Sequence, residues 1–174
     1  DIKKLFLNKW HYGLYYKTQY FLGGDMSGPF KGVRVLELTS TVSGPFAGMM
    51  LADQGAEVIK IEPPGIGDLA RFMGTIKDGM GAMFSTLNRN KKCICLDFKN
   101  EEDLSILMEL VSTADVLIEN YRPGIVKKLG IDYETLKKIK PDLIYCSISG
   151  YGQSGPYKEK KVYDPLIQGT VGIP

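Results

Sequence analysis

From Gly32 onward, short apolar runs alternate with stretches of helical spacing, and glycine- and proline-rich breaks separate them. Residues 33–38 read as a strand. Ser43-Gly44-Pro45 then opens a helix that runs from Phe46 to Gln54, since proline is tolerated in a first turn. Gly55 ends that helix, and residues 57–61 form a second strand. Residues 63–90 are rich in glycine, methionine and polar side chains, with a weak helical pattern over 82–87. Residues 93–96 give a third strand. Asn100 followed by Glu101-Glu102-Asp103 is a helix entry, with acidic groups at the positive end of the dipole, and that helix reaches Val111. Residues 116–119 form a fourth strand and 142–148 a fifth. Between them lie two short helical stretches, 123–129 and 133–138, divided by Gly130. Residues 150–161 are an irregular basic loop. Asp164 as N-cap with Pro165 in the first helical position starts a last helix.

Five strands, most followed by a helix, predict an α/β fold with a parallel sheet covered on both faces. Ligands of such sheets bind beyond the carboxyl ends of the strands. Chemistry is therefore expected in residues 39–44, 62–71, 97–100, 120–124 and 149–164, all rich in glycine, proline and polar residues.

Charge changes this picture little. Twenty-two basic and twenty acidic residues nearly cancel, so there is no global electrostatic case for nucleic acid or an anionic membrane. No apolar run reaches the roughly eighteen residues that suggest a membrane helix. Cys93, Cys95 and Cys146 accompany a single histidine, His11, which argues against a metal site. Buried free thiols in a reducing cytoplasm are expected instead. Residues 1–25 are rich in Lys, Tyr and Trp without a period, and they read as a non-native leader. Gly23-Gly24-Asp25-Met26 can be encoded by a purine-rich string resembling a ribosome-binding site, which would make Met26 the start of a unit spanning 26–174.

Familiar catalytic motifs are mostly excluded. There is no phosphate-binding P-loop and no G-x-S-x-G elbow, and one histidine in the leader leaves no Ser-His-Asp triad. Acid–base work falls to carboxylates or tyrosines. Gly65-Ile66-Gly67-Asp68-Leu69-Ala70 fits a dinucleotide fingerprint. Pro63-Pro64 separates it from its strand, however, and no strand ends in an acidic residue some twenty positions on. A loop whose glycines let the backbone approach a ligand explains it better than a nicotinamide or flavin site. Arg89, Lys91, Lys92, Lys127, Lys128, Lys158, Lys160 and Lys161 read mostly as surface cations. Tyr121, Tyr151 and Tyr163 lie at strand ends near some of them, a pattern suited to an adenine ring and its phosphates.

Several motifs in register carry a family resemblance. They are Val35-Leu36-Glu37-Leu38-Thr39, the run from Gly44-Pro45-Phe46 through Pro63-Pro64-Gly65, Gly67-Asp68 with Arg71, and Asn88-Arg89-Asn90-Lys91-Lys92. Glu119-Asn120-Tyr121-Arg122-Pro123-Gly124, Ser149-Gly150-Tyr151-Gly152 and Tyr163-Asp164-Pro165 continue the series. Together they resemble the N-terminal part of the class III coenzyme A transferases, the CaiB/BaiF family. The resemblance implies a Rossmann-like large domain, an interlocked homodimer, and coenzyme A thioester as substrate with no permanent cofactor. It implies transfer of coenzyme A to a carboxylic acid through an aspartyl covalent intermediate. It places coenzyme A contacts at Val42, Ser43, Leu96, Lys99, Asn120, Tyr121, Lys128, Lys161 and Tyr163. Pro63 stands where some transferases have arginine. Lys128 stands where many do, which keeps the charge without the bidentate geometry. The implied nucleophile lies beyond Pro174, which makes this chain a fragment without its own turnover. Asp164 matches instead the proton-transferring aspartate of the 2-methylacyl-CoA racemase branch, although Tyr163 replaces that branch's usual histidine. Racemisation and coenzyme A binding without catalysis are the alternatives.

Overall fold

The computed structural model describes residues 27–173; the leader reading for 1–25 and the start at Met26 lie outside them. Five parallel strands form the main sheet: β1 (Arg34–Leu38), β2 (Glu57–Glu62), β5 (Lys91–Cys95), β6 (Val116–Glu119) and β7 (Ile144–Ser147). Their order is β5-β2-β1-β6-β7, with register pairs Val35↔Val58 and Val35↔Val116 around the central strand. This is the order of the first five strands of a doubly wound sheet, and its switch point lies between β1 and β6.

Strand alternation assigns the two faces. Val35, Val58 and Ile118 pack with Ala52 of helix α1 (Ser43–Asp53). Leu36, Ile59 and Leu117 pack on the other face with Leu107, Leu110 and Val111 of α3 (Glu101–Ser112). Each buried valine, leucine or isoleucine side chain among them stabilises the fold by about 1.5–3 kcal/mol. Helix α3 begins as its sequence predicts: the Asn100 side chain accepts from the backbone amides of Glu102 and Asp103. Short helices α4 (Ile125–Lys128) and α5 (Tyr133–Leu136) follow β6, and α6 (Asp164–Val171) closes the described chain.

The structure departs from expectation in three places. The long 63–90 connection holds a 3-10 turn (Leu69–Phe72), a hairpin of β3 (Ile76–Lys77) and β4 (Met80–Gly81), and α2 (Ala82–Leu87). Asp78 and Gly79 both have positive φ, 50° and 78°, as a two-residue hairpin turn requires. Second, Tyr163 rather than Asp164 is the N-cap of α6. Asp164 lies inside the first turn, because the extended backbone ends one residue earlier. Third, the thiols are not uniformly buried. Cys93 is half-buried, but Cys95 and Cys146 are exposed, since β5 and β7 are the outer strands of the sheet. Burial, with Glu62 nearby, pushes the Cys93 thiol up to about 12, so it stays protonated. Among the described residues no helix is long and apolar enough to cross a membrane.

Candidate active site at the sheet switch point

At the switch point the loops after β1, β2 and β6 enclose an open cleft lined by Thr39, Ser40, Pro63, Asp68, Asn120 and Tyr121. Asn120 joins two of these loops. Its Oδ1 accepts from the Ser40 amide at 2.9 Å and its Nδ2 donates to the Ser40 carbonyl at 2.8 Å. Nδ2 also reaches Ser43 Oγ at 3.5 Å. A reciprocal pair of this kind fixes both backbones.

Beneath the cleft lies a chain of buried charges. Glu37 and Lys60, register partners on β1 and β2, meet at 2.9 Å with both side chains fully buried. Lys60 Nζ also forms an ion pair with Asp68 Oδ2 at 2.9 Å and donates to the Thr39 carbonyl at 2.8 Å. The second Glu37 oxygen pairs with Lys91 Nζ at 2.6 Å, and Lys91 additionally donates to the Pro45 carbonyl and Asn88 Oδ1. Glu62 takes Arg71 in a two-point grip at 2.6 and 2.8 Å, and the Arg71 guanidinium lies 3.7 Å over the Phe84 ring. Three carboxylates thus balance three cations. Isolated charges here would cost several kcal/mol each, so the balance is what permits their burial.

The electrostatics follow from that pairing. Burial alone would depress the Lys60 ammonium, yet Glu37 and Asp68 outweigh it and its pKa is raised. For Lys91 burial prevails and its pKa is lowered, with Glu37 opposing. Burial would raise the Asp68 carboxyl, but Lys60 and the amides of Thr41 and Ala70 hold it below its usual range. Glu119, 2% exposed, goes the other way. Burial raises it despite hydrogen bonds from Ser147 Oγ and the Tyr121 amide. A raised carboxyl favours the fold at low pH, and that contribution is lost as pH rises from about 4.5 through the higher folded value. Glu119→Gln should therefore flatten the stability–pH curve on the alkaline side of 4.5. At pH 7 it should stay within about 1 kcal/mol of wild type, because an amide can keep both bonds. Urea unfolding of both proteins between pH 4 and 8 checks this; an unchanged slope would contradict it.

The structure brings some of the expected ligand residues together and leaves others apart. Asn120 and Tyr121 line the cleft, and Ser43 touches Asn120. Val42, the N-cap of α1, adjoins them and is 37% exposed. Leu96 is 1% exposed and belongs to the core, so only its backbone is left for a ligand. Lys99, Lys128, Lys161, Tyr163 and Asp164 are exposed and stand outside the cleft lining. Lys91, expected on the surface, is instead buried. Sequence reasoning missed the Glu37–Lys60–Asp68 chain altogether. Its signal was available: Glu37 and Lys60 each sit between apolar residues inside a strand, at positions that face the same side.

Similarity to known proteins agrees with this geometry. The family model described as CoA-transferase family III matches residues 30–174. The chain is 48% identical over 146 residues to the acetyl-CoA:oxalate CoA-transferase of Acetobacter aceti, covering 84% of this chain and 38% of that protein. It is 44% identical over 150 residues to the succinyl-CoA:glutarate CoA-transferase of Mus musculus, covering 86% and 34%. A solved CAIB/BAIF family protein from Brucella suis superposes with TM-score 0.80 at 45% identity, covering 84% of this chain and 40% of that one. The chain thus spans between a third and two fifths of the length of these relatives. With the parallel sheet and its match over nearly the whole described length, the chain belongs to CoA-transferase family III.

Proposed function

We propose that the whole protein moves coenzyme A from an acyl-CoA to a carboxylate acceptor, and that this chain supplies the coenzyme A-holding edge of its sheet. The family match across residues 30–174 carries the reading. The relatives named above use oxalate and glutarate, so a small dicarboxylate is the acceptor class to test first. The cleft supports it: in doubly wound sheets the switch point is the usual ligand site. Helix α1 opens there with no acidic residue in its first turn, an arrangement compatible with an anionic ligand. Asn120 fixes the loop that presents Val42 and Ser43, while Tyr121 offers an aromatic wall. Exposed Lys99, Lys128, Lys161 and Tyr163 are assigned to the phosphates and the adenine ring, and Leu96 contributes through its backbone. The interlocked homodimer and the absence of a permanent cofactor belong to the same reading.

The transfer itself is assigned to an aspartate outside residues 27–173. Its carboxylate attacks the thioester carbonyl, giving a mixed anhydride and releasing coenzyme A thiolate. The thiolate then attacks the aspartyl carbonyl, releasing the donor acid and leaving an enzyme thioester. The acceptor carboxylate attacks that thioester in turn, and the thiolate returns to the new acyl group. Asp164 is not that nucleophile.

The test is incubation of the full-length protein with succinyl-CoA and oxalate or glutarate. The expected result is a new CoA ester, together with a peptide-bound coenzyme A adduct on one aspartate by mass spectrometry. Turnover without an adduct would remove the covalent route. No transfer across a panel of acids would remove the function.

A further inference from the structure

Thr41 has φ = 73°, in the left-handed region that β-branched residues avoid. It lies in the loop between β1 and α1, immediately before Val42 and Ser43. A conformation of this kind persists only when its surroundings over-determine it. Here the determinants can be named. Asp68 Oδ1 accepts from the Thr41 amide at 2.9 Å and from Ser40 Oγ at 3.0 Å. The same oxygen accepts from the Ala70 amide at 2.9 Å, which ties it to the start of the 3-10 turn. Asp68 Oδ2 is held by Lys60, and the Asp68 amide donates to Glu62 Oε2 at 2.8 Å. Asn120 grips Ser40 from the opposite side. Behind the loop, Gly44 packs so closely on the Thr39 side chain that a Cβ there has no room.

We propose that Asp68 is a positioning residue for the coenzyme A thioester: it holds Thr41 left-handed and so aims the Val42–Ser43 backbone and α1's amino end into the cleft. The inference rests on the coenzyme A reading above. It also gives the Gly65–Ala70 segment a role different from cradling a dinucleotide. Gly67, at φ = 66°, lies against the Glu62 carboxylate, where a Cβ would crowd Oε2 at 2.7 Å. The glycines let this loop fold back so that Asp68 reaches across to the β1 loop. Asp68 acts through Thr41 and need not touch the ligand.

The experiment measures coenzyme A affinity by calorimetry in the full-length protein, with thermal melts alongside. Both Asp68 oxygens face donors, so the amide nitrogen of Asp68→Asn must meet either Lys60 or the amides of Thr41 and Ala70. The hold on Thr41 loosens, and binding should weaken roughly tenfold, the ratio corresponding to 1.4 kcal/mol, within the range of one strained backbone residue. Thr41→Gly accepts positive φ at no steric cost, so adding it to Asp68→Asn should bring affinity back to within about threefold of wild type. A loss caused only by a weaker fold would not be repaired in this way, because Lys60 remains as poorly paired as before. If Asp68→Asn fails to fold, Thr41→Pro decides the matter. Proline fixes φ near −65°, which makes the left-handed turn impossible, and about a tenfold loss is expected in a protein that still melts cooperatively. Wild-type protein that does not bind coenzyme A overturns the functional reading and this proposal with it. Wild-type binding matched by Asp68→Asn, or by folded Thr41→Pro, overturns this proposal alone, as does a double variant no tighter than Asp68→Asn.

Discussion

Lys60→Met should lower the stability of the protein by about 3–5 kcal/mol at pH 7, the usual cost of leaving buried charge without its partner. Methionine fills similar volume, so little of this loss is packing. What disappears is the ammonium that Glu37, Asp68 and the Thr39 carbonyl share, all within 2.9 Å. Glu37 keeps Lys91, but Asp68 loses the ammonium that pairs with it, and burial then governs its carboxyl. The pH dependence gives the loss a signature. In the wild type the Asp68 pKa is lowered from 3.8, so its contribution is present above that value and fades as pH falls through the lower folded one. In the variant the sign reverses: an Asp68 raised by burial destabilises at neutral pH and recovers on acidification. The gap between the two proteins should therefore be widest near pH 7 and narrow toward pH 4. The alkaline side is complementary. The raised Lys60 pKa means that wild type loses stability above 10.5, and the variant lacks that component. Urea unfolding at several pH values reads all of this, and equal stability at pH 7 would contradict it.

Gly48→Ala should also destabilise, by about 1–3 kcal/mol, although glycine to alanine within a helix ordinarily gains close to 1 kcal/mol. Gly48 is buried on α1 and faces the sheet. A Cβ there would overlap Glu37 Oε2, lie 3.0 Å from its Cδ and 3.4 Å from Lys91 Nζ. Glu37 cannot swing aside, because Lys60, Lys91 and Thr39 Oγ1 hold it. A fall in melting temperature is expected. A rise would mean that the carboxylate has another place to go, and that the charge chain is looser than its hydrogen bonds indicate.

These two sites mark the boundary of what the sequence makes legible. The sheet was readable because apolar strands and helical spacing alternate with clear breaks, and Asn100 and Gly55 mark ends by mechanisms that act locally. The short hairpin was legible in principle, since Asp78-Gly79 is a turn signal, but two-residue strands carry too little pattern to stand out. The ligand edge was partly legible: fold topology places Ser43 and Asn120 at strand ends, yet only the tertiary structure joins them. Burial of Lys91 could not be read locally, because its neighbours Arg89 and Lys92 are exposed and paired with Asp53 and Glu57. What buries it is Glu37, a residue 54 positions earlier on a strand two places away. Leu96 shows the converse, a residue at a ligand-facing strand end whose side chain belongs to the core.

The central position of β1 has a consequence for the order in which the molecule takes shape. The first strand among the described residues waits for both neighbours: Arg34 meets Glu57, 23 residues on, and Asp115, 81 residues on. Asn120 closes on Ser40 across a separation of 80 residues. Contacts so distant along the chain form late, because loop closure must precede any gain from them. The cleft is thus among the last features to assemble, and during synthesis it cannot exist before residue 120 has emerged. A ligand bound there would select finished molecules over partly formed ones and stabilise them by mass action.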